Sequence, residues 1–311
     1  MTAPLPKPTS DPPVVGRAAG RSACVPVVVV CFIGFCLTLL VYQPGYMSFD
    51  SFNQLKQARS GEFLDNHPPM MAAIWRQVDR VSSGPFGMLL LQTLLFWGGI
   101  AVFFNAVPGP AIVRAAGAAL VGFYPPVFGL IGTIWKDVLM FGVLIFAIGL
   151  MVHLISSKRF KWIIAIAILG LLTLACSLRE NAAAATGPLL IWLMHAFRPL
   201  RAKGRLLTLV RTTAVALAAT LLMYGASGRI SSALTTTKTY FWQTLVVFDL
   251  VGTSIQADQM LIPEGSPVLR KPEVTVADLK RCYNPLTCGT LYRPPRGEGR
   301  DARLLTFITD E

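Results

Sequence analysis

The chain has 311 residues, of which 53% are hydrophobic and only 14% charged, against roughly 25% charged in soluble domains. That balance excludes an ordinary soluble domain and fits an all-α, multi-span integral membrane protein. Its net charge of +12 does not point to nucleic acid, because the basic residues lie between apolar runs rather than in patches interleaved with aromatics.

Residues 1–23 are Pro-rich and polar, with Lys7, Arg17 and Arg21. The apolar run that follows is too long for a leader core and lacks a small-residue cleavage site, so a retained first span is expected after a cytoplasmic tail. A helix near 20 residues crosses the ~30 Å bilayer core. About seven such stretches are predicted, at 24–43, 86–106, 112–133, 138–156, 162–178, 182–197 and 208–226. The third is broken by Tyr124-Pro125-Pro126, which should kink or split it. The fifth and sixth are short and separated only by Arg179-Glu180-Asn181.

Orientation follows from lysine and arginine, which favour cytoplasmic loops. With the N-terminus inside, the inner connections carry Arg114, then Lys158, Arg159 and Lys161, then Arg198, Arg201, Lys203, Arg205 and Arg211. The short outer connections carry only Lys136 and Arg179. One extracytoplasmic face then collects the loop 44–85, Trp135-Lys136-Asp137, Arg179-Glu180-Asn181 and the tail 227–311. Ionisable groups at the membrane are costly and are functional candidates by default; interfacial anchoring is the simpler role for any one of them taken singly.

The first outer loop is expected to be folded. Ser48 or Asp50 can cap a helix that presents Phe52, Leu55 and the stem of Arg59 on one face and ends at Ser60-Gly61. After Pro68-Pro69, the residues Met70, Met71, Ile74, Trp75 and Val78 recur at helical spacing. Both helices are expected to lie on the membrane surface, apolar side down. In the tail, the stretch from Tyr240 to Val251 reads as a packed or interfacial helix rather than a further span. Cys24, Cys31, Cys36 and Cys176 lie in apolar runs and serve as small hydrophobes. Cys282 and Cys288, in CYNPLTC, can close a short disulfide loop if the tail is extracytoplasmic; their spacing fits no usual zinc pattern.

A carboxylate at the mouth of the first span can act as a general base, and arginine or lysine can neutralise a phosphate leaving group. No Gly-rich phosphate loop, HExxH or GxSxG is present. The pattern YMSFDS…GEFLDNHPPM resembles the first outer loop of the GT-C glycosyltransferase superfamily, which includes protein mannosyltransferases and aminoarabinose transferases that use polyprenyl-phosphate sugars. The likeness covers about 45–190. It implies a membrane glycosyltransferase of a bacterial inner membrane, with Asp50 as catalytic carboxylate. It also implies a donor that is a polyprenyl-phosphate-linked sugar held among membrane lipids. His67, Lys136, Asp137, Arg179 and Glu180 are then the substrate-binding candidates. No cofactor is implied with certainty; a divalent metal stays open, without a DxD pair to hold it.

Two departures are plain. Members of the superfamily often carry two adjacent acidic residues, but Asp50 is followed by Ser51, so Asp65 or Asp137 is expected to substitute. Members usually have more spans, so a truncated or degenerate homologue is expected. The competing classes are a transporter or lipid flippase and a non-catalytic assembly subunit. A transporter would place polar residues along the span centres and often carry a pseudo-repeat, and neither is evident in the sequence.

Overall fold

The computed structural model describes residues 24–156, 161–197, 204–240, 242–270, 273–286, 291–292 and 304–306. Cys288 and the basic residues at positions 1–23, 158–159 and 198–203 lie outside them, so the Cys282–Cys288 pairing does too. The helices in chain order are α1 (Val25–Tyr42), α2 (Phe49–Ser60), α3 (Met70–Val81), α4 (Phe86–Ala106), α5 (Ala111–Gly122) and α6 (Pro125–Ile131). They continue with α7 (Lys136–Ser156), α8 (Lys161–Leu178), α9 (Ala183–Phe197), α10 (Arg205–Leu234), α11 (Gln243–Ala257) and α12 (Val276–Cys282). A single 3-10 turn, Glu180–Ala182, joins α8 to α9. Among the described residues there is no strand, only the isolated bridges Tyr46–Thr133, Leu64–Thr237 and Leu269–Leu305.

Five helices, α1, α4, α7, α8 and α10, are long and apolar enough to cross a membrane. The α5 and α6 pair, bent by 62°, passes the same test when taken together, which makes six candidates if the pair counts as one span. The bend falls where expected, since Pro125 and Pro126 open α6 and cannot continue the hydrogen bonding of α5. The stretch predicted as a sixth span is shorter than a crossing helix of that kind: α9 has 15 residues and contains Pro188. At the other extreme α10 has 30 residues, about 45 Å at 1.5 Å per residue, and runs well past the boundary predicted at 226.

Close backbone approach holds the centre of the bundle. A Cβ on Gly99 would stand 2.6 Å from the backbone nitrogen of Phe146, and one on Gly149 would stand 2.6 Å from the carbonyl oxygen of Gly99. Gly142 faces the carbonyl of Gln92 in the same way. Later residues of α4 therefore meet later residues of α7, and the two helices run parallel. The chain returns between them along α5 and α6: Gly117 lies against Phe104, Gly122 against Trp97, and Gln92 Nε2 donates to the carbonyls of Ile131 and Thr133 at 2.7 and 3.1 Å. Trp97 is also the point where α1 docks, its Nε1 donating to Thr38 Oγ1 at 3.0 Å. The buried polar groups Gln92, Thr38 and Trp97 thus fasten helices to one another, and such bonds matter where no water can substitute.

The α3 helix forms where the sequence puts it, but does not lie loose on a surface. Met71, Ala72 and Trp75 are fully buried, Met71 and Trp75 in a cluster with Met88, Leu89, Ile134 and Leu178, and Trp75 Nε1 donates to Gly84 O at 3.1 Å. On α2 only part of the predicted face packs: Leu55 meets the core, but Phe52 does not. Ser51, Gln54, Gln57 and Ala58 are buried, whereas Phe49 and Phe52 are 69% and 60% exposed. Polar partners select this rotation: Ser51 Oγ donates to Ile134 O at 2.6 Å, and Gln57 Oε1 accepts from Leu64 N at 3.1 Å. In the tail, α11 and α12 close a separate small core through Val247, Val251, Leu279 and Ile262.

Candidate functional site

One end of the bundle gathers the segments that interrupt the apolar helices. The link after α1 pairs with the link before α7: Tyr46 N donates to Gly132 O and Ile134 N donates to Tyr46 O, each at 2.9 Å. Ser48 caps α2 in a reciprocal box with Ser51, and Trp135 Nε1 donates to Ser48 Oγ at 2.8 Å. Asp50 therefore sits in the first turn of α2, where the helix dipole favours an anion, and is not itself the cap. Its carboxylate is exposed.

Beside it lies a narrow chamber of about 160 Å3 lined by Asp50, Ser51, Gln54, Lys136 and Asp137. Lys136 is only 6% exposed, so it does not snorkel to the interface. Its Nζ is buried with no hydrogen-bond partner among the described residues, and the same holds for Gln54 Oε1. An unpaired buried ammonium is costly to keep and is the sharpest chemical feature of this end of the molecule.

Asp137, in the first turn of α7, meets Arg179 just beyond α8. Arg179 donates through Nε to Oδ1 at 2.6 Å and through Nη2 to Oδ2 at 2.7 Å. The bond to Asp137 raises the pKa of Arg179 further, offset in part by burial. Two donor groups are spent in this fork, and the remaining guanidinium N–H groups are left for a ligand.

His67 is half-buried in the turn before Pro68-Pro69. Burial, with Lys136 and Arg179 nearby, lowers its pKa, while Asp50 and Asp137 pull it the other way. The result is an imidazole held neutral at neutral pH. Those influences also locate it: His67 lies within electrostatic reach of Asp50, Lys136, Asp137 and Arg179.

A wider cavity of about 700 Å3 opens next to the chamber. Residues 65–69 form one wall, and Arg179, Glu180 and Asn181 form another. The third wall was not anticipated: it is the end of α10, from Tyr224 to Thr235, followed by Lys238. Its signal is in the sequence, as Ser227, Ser231 and Thr235 recurring at steps of four beyond position 226. The segment after α10 is tied down by Asp65, whose Oδ1 accepts from Thr239 N at 2.7 Å and from Thr239 Oγ1, and by Thr236 N donating to Phe63 O at 2.9 Å.

The structure thus brings Asp50, His67, Lys136, Asp137, Arg179 and Glu180 to one end of the bundle. Both acidic residues expected to stand in for a second free carboxylate are engaged, Asp65 with the tail and Asp137 with Arg179. Among the described residues no group of three or more His, Cys, Asp or Glu side chains could hold a metal ion. Cys282 is buried at the end of α12. No protein-family model, curated protein or solved structure matches the chain.

Proposed function

We propose that the protein is a membrane glycosyltransferase that moves a sugar from a polyprenyl-phosphate donor to an acceptor on the extracytoplasmic face. The observation that carries this reading is the grouping of Asp50, His67, Lys136, Asp137 and Arg179, from three separate parts of the chain, beside two cavities that their side chains line. The site has what direct displacement at a sugar carbon requires. Asp50 takes the proton of the acceptor hydroxyl, and the freed oxygen bonds to the anomeric carbon from the face opposite the phosphate. The bond from that carbon to the phosphate oxygen breaks, and its electron pair leaves on the lipid phosphate. Lys136 and the unspent edge of Arg179 neutralise that charge. Asp137 orients Arg179, and His67 and Glu180 hold the acceptor side.

On this reading the N-terminus is cytoplasmic, and α5 with α6 makes one crossing of the bilayer. A further crossing by the short α9 gives seven. The parallel course of α4 and α7 supports a full return between them, because the chain must regain its starting face. The contact of Gly187 with Thr220 and the shared cavity of Arg179 with Ser227 support the same for α9.

Asp50→Asn tests the proposal. The variant should fold and reach the membrane at wild-type level yet lose transfer from a polyprenyl-phosphate sugar by about 100-fold or more, the usual scale for removing a general base. Full transfer by Asp50→Asn in membranes supplied with a donor used by the wild type would sink the assignment.

A further inference from the structure

The wide cavity differs in chemistry from the narrow chamber. Tyr224, Ser227 and Ser231 fall at steps of three and four near the end of α10 and Thr235 follows four residues later as its C-cap, a spacing that places them on one face, with Ser232 beside Ser231; all five line the wall. Each hydroxyl can donate and accept. The amides Asn66 and Asn181 stand among the groups opposite, and Asn66 Oδ1 is buried with no hydrogen-bond partner among the described residues. Charges cancel: the cavity holds the cations Arg179 and Lys238 and the anions Asp65 and Glu180. A site built for a phosphate or an acidic peptide would leave cationic excess, and one built for an acyl chain would not spend so many hydroxyls. Its volume of about 700 Å3 lies within the roughly 300–1,000 Å3 of small-molecule sites.

We infer that the wide cavity binds a neutral carbohydrate, and that the acceptor is the end of a glycan lying along the hydroxyl face of α10. The inference rests on the glycosyltransferase reading for the word acceptor, and on the cavity alone for the carbohydrate. A pyranose offers alternating hydroxyl donors and acceptors at its rim and apolar C–H faces above and below. The α10 hydroxyls match the first, and the exposed ring of Tyr224 matches the second. Asn66 Oδ1 gains the donor that the folded chain does not supply.

The test is a titration of the full-length protein in nanodiscs, with no donor present, against maltotriose, mannotriose and N-acetylchitotriose. Inorganic phosphate, a serine-rich peptide and decanol are titrated in parallel. Gly228 lines the cavity near the end of α10, and a Cβ there meets nothing within 4 Å, so Gly228→Leu places a side chain in open space and its folding is checked by its unfolding temperature. At least one trisaccharide should bind the wild type, with affinity falling about tenfold or more in Gly228→Leu and in Ser231→Val. Absence of binding by every trisaccharide, equal binding by Gly228→Leu, or binding of the peptide or decanol in their place overturns the inference. Because no donor is present, these outcomes are independent of whether Asp50→Asn abolishes transfer.

Discussion

Lys136 is the residue at which stability and function pull apart. Its ammonium is buried without a hydrogen-bond partner among the described residues, a state that costs on the order of 1–3 kcal/mol relative to a satisfied or apolar side chain. Methionine has a similar unbranched length and no charge. Lys136→Met should therefore raise the unfolding temperature in detergent while impairing use of a lipid-phosphate donor, the trade-off of a group kept for binding. A fall in unfolding temperature would instead mark Lys136 as a structural residue. Asp50 illustrates a different point. The sequence left the cap of α2 open between Ser48 and Asp50, and Ser48 takes it, which leaves the carboxylate of Asp50 uncommitted to that task. The pairing of Asp137 with Arg179 spans 42 positions and could not be read from spacing, because it depends on how α7 and α8 are rotated against each other.

At the level of elements, hydrophobic length and periodicity located most helices, and polar contacts decided their faces. The α2 helix is the clearest instance: of the apolar residues its spacing favoured, Leu55 packs but Phe52 stays exposed, while Ser51 and Gln57 face inward and bond main-chain groups of Ile134 and Leu64. Apolar side chains turned outward are tolerable at a membrane interface, and this rotation gives Ser51 and Gln57 main-chain partners. The α4 and α7 pair combines close backbone approach at Gly99, Gly142 and Gly149 with side-chain packing such as Phe96 on Phe141. Gly99→Leu drives a side chain into the backbone of Phe146, which has no room to yield. It should cost about 2 kcal/mol or more, read as a lower unfolding temperature and as loss of folded protein in membranes. Nearly unchanged stability would show that the helices do not pack backbone to backbone.

For the molecule as a whole, the proposed topology makes opposite ends of the bundle face opposite compartments. Single cysteines at Glu62, in the first outer loop, and at Gly109, between α4 and α5, both exposed, should react with a membrane-impermeant maleimide from opposite sides once the native cysteines are replaced. Labelling of both from one side would refute it. The sequence by itself determined that the chain is helical and rich in membrane-length apolar segments, because a run of apolar residues and its proline breaks act locally. It also brought forward Asp50, His67, Lys136 and Arg179, since polar groups among apolar runs stand out without any structure. Tertiary packing alone decided that Asp137 clamps Arg179, that Lys136 is buried unpaired, and that α10 continues past the expected end of its span to build a hydroxyl wall. Those outcomes turn on helix rotation and on contacts between residues far apart in the chain, which no local pattern encodes.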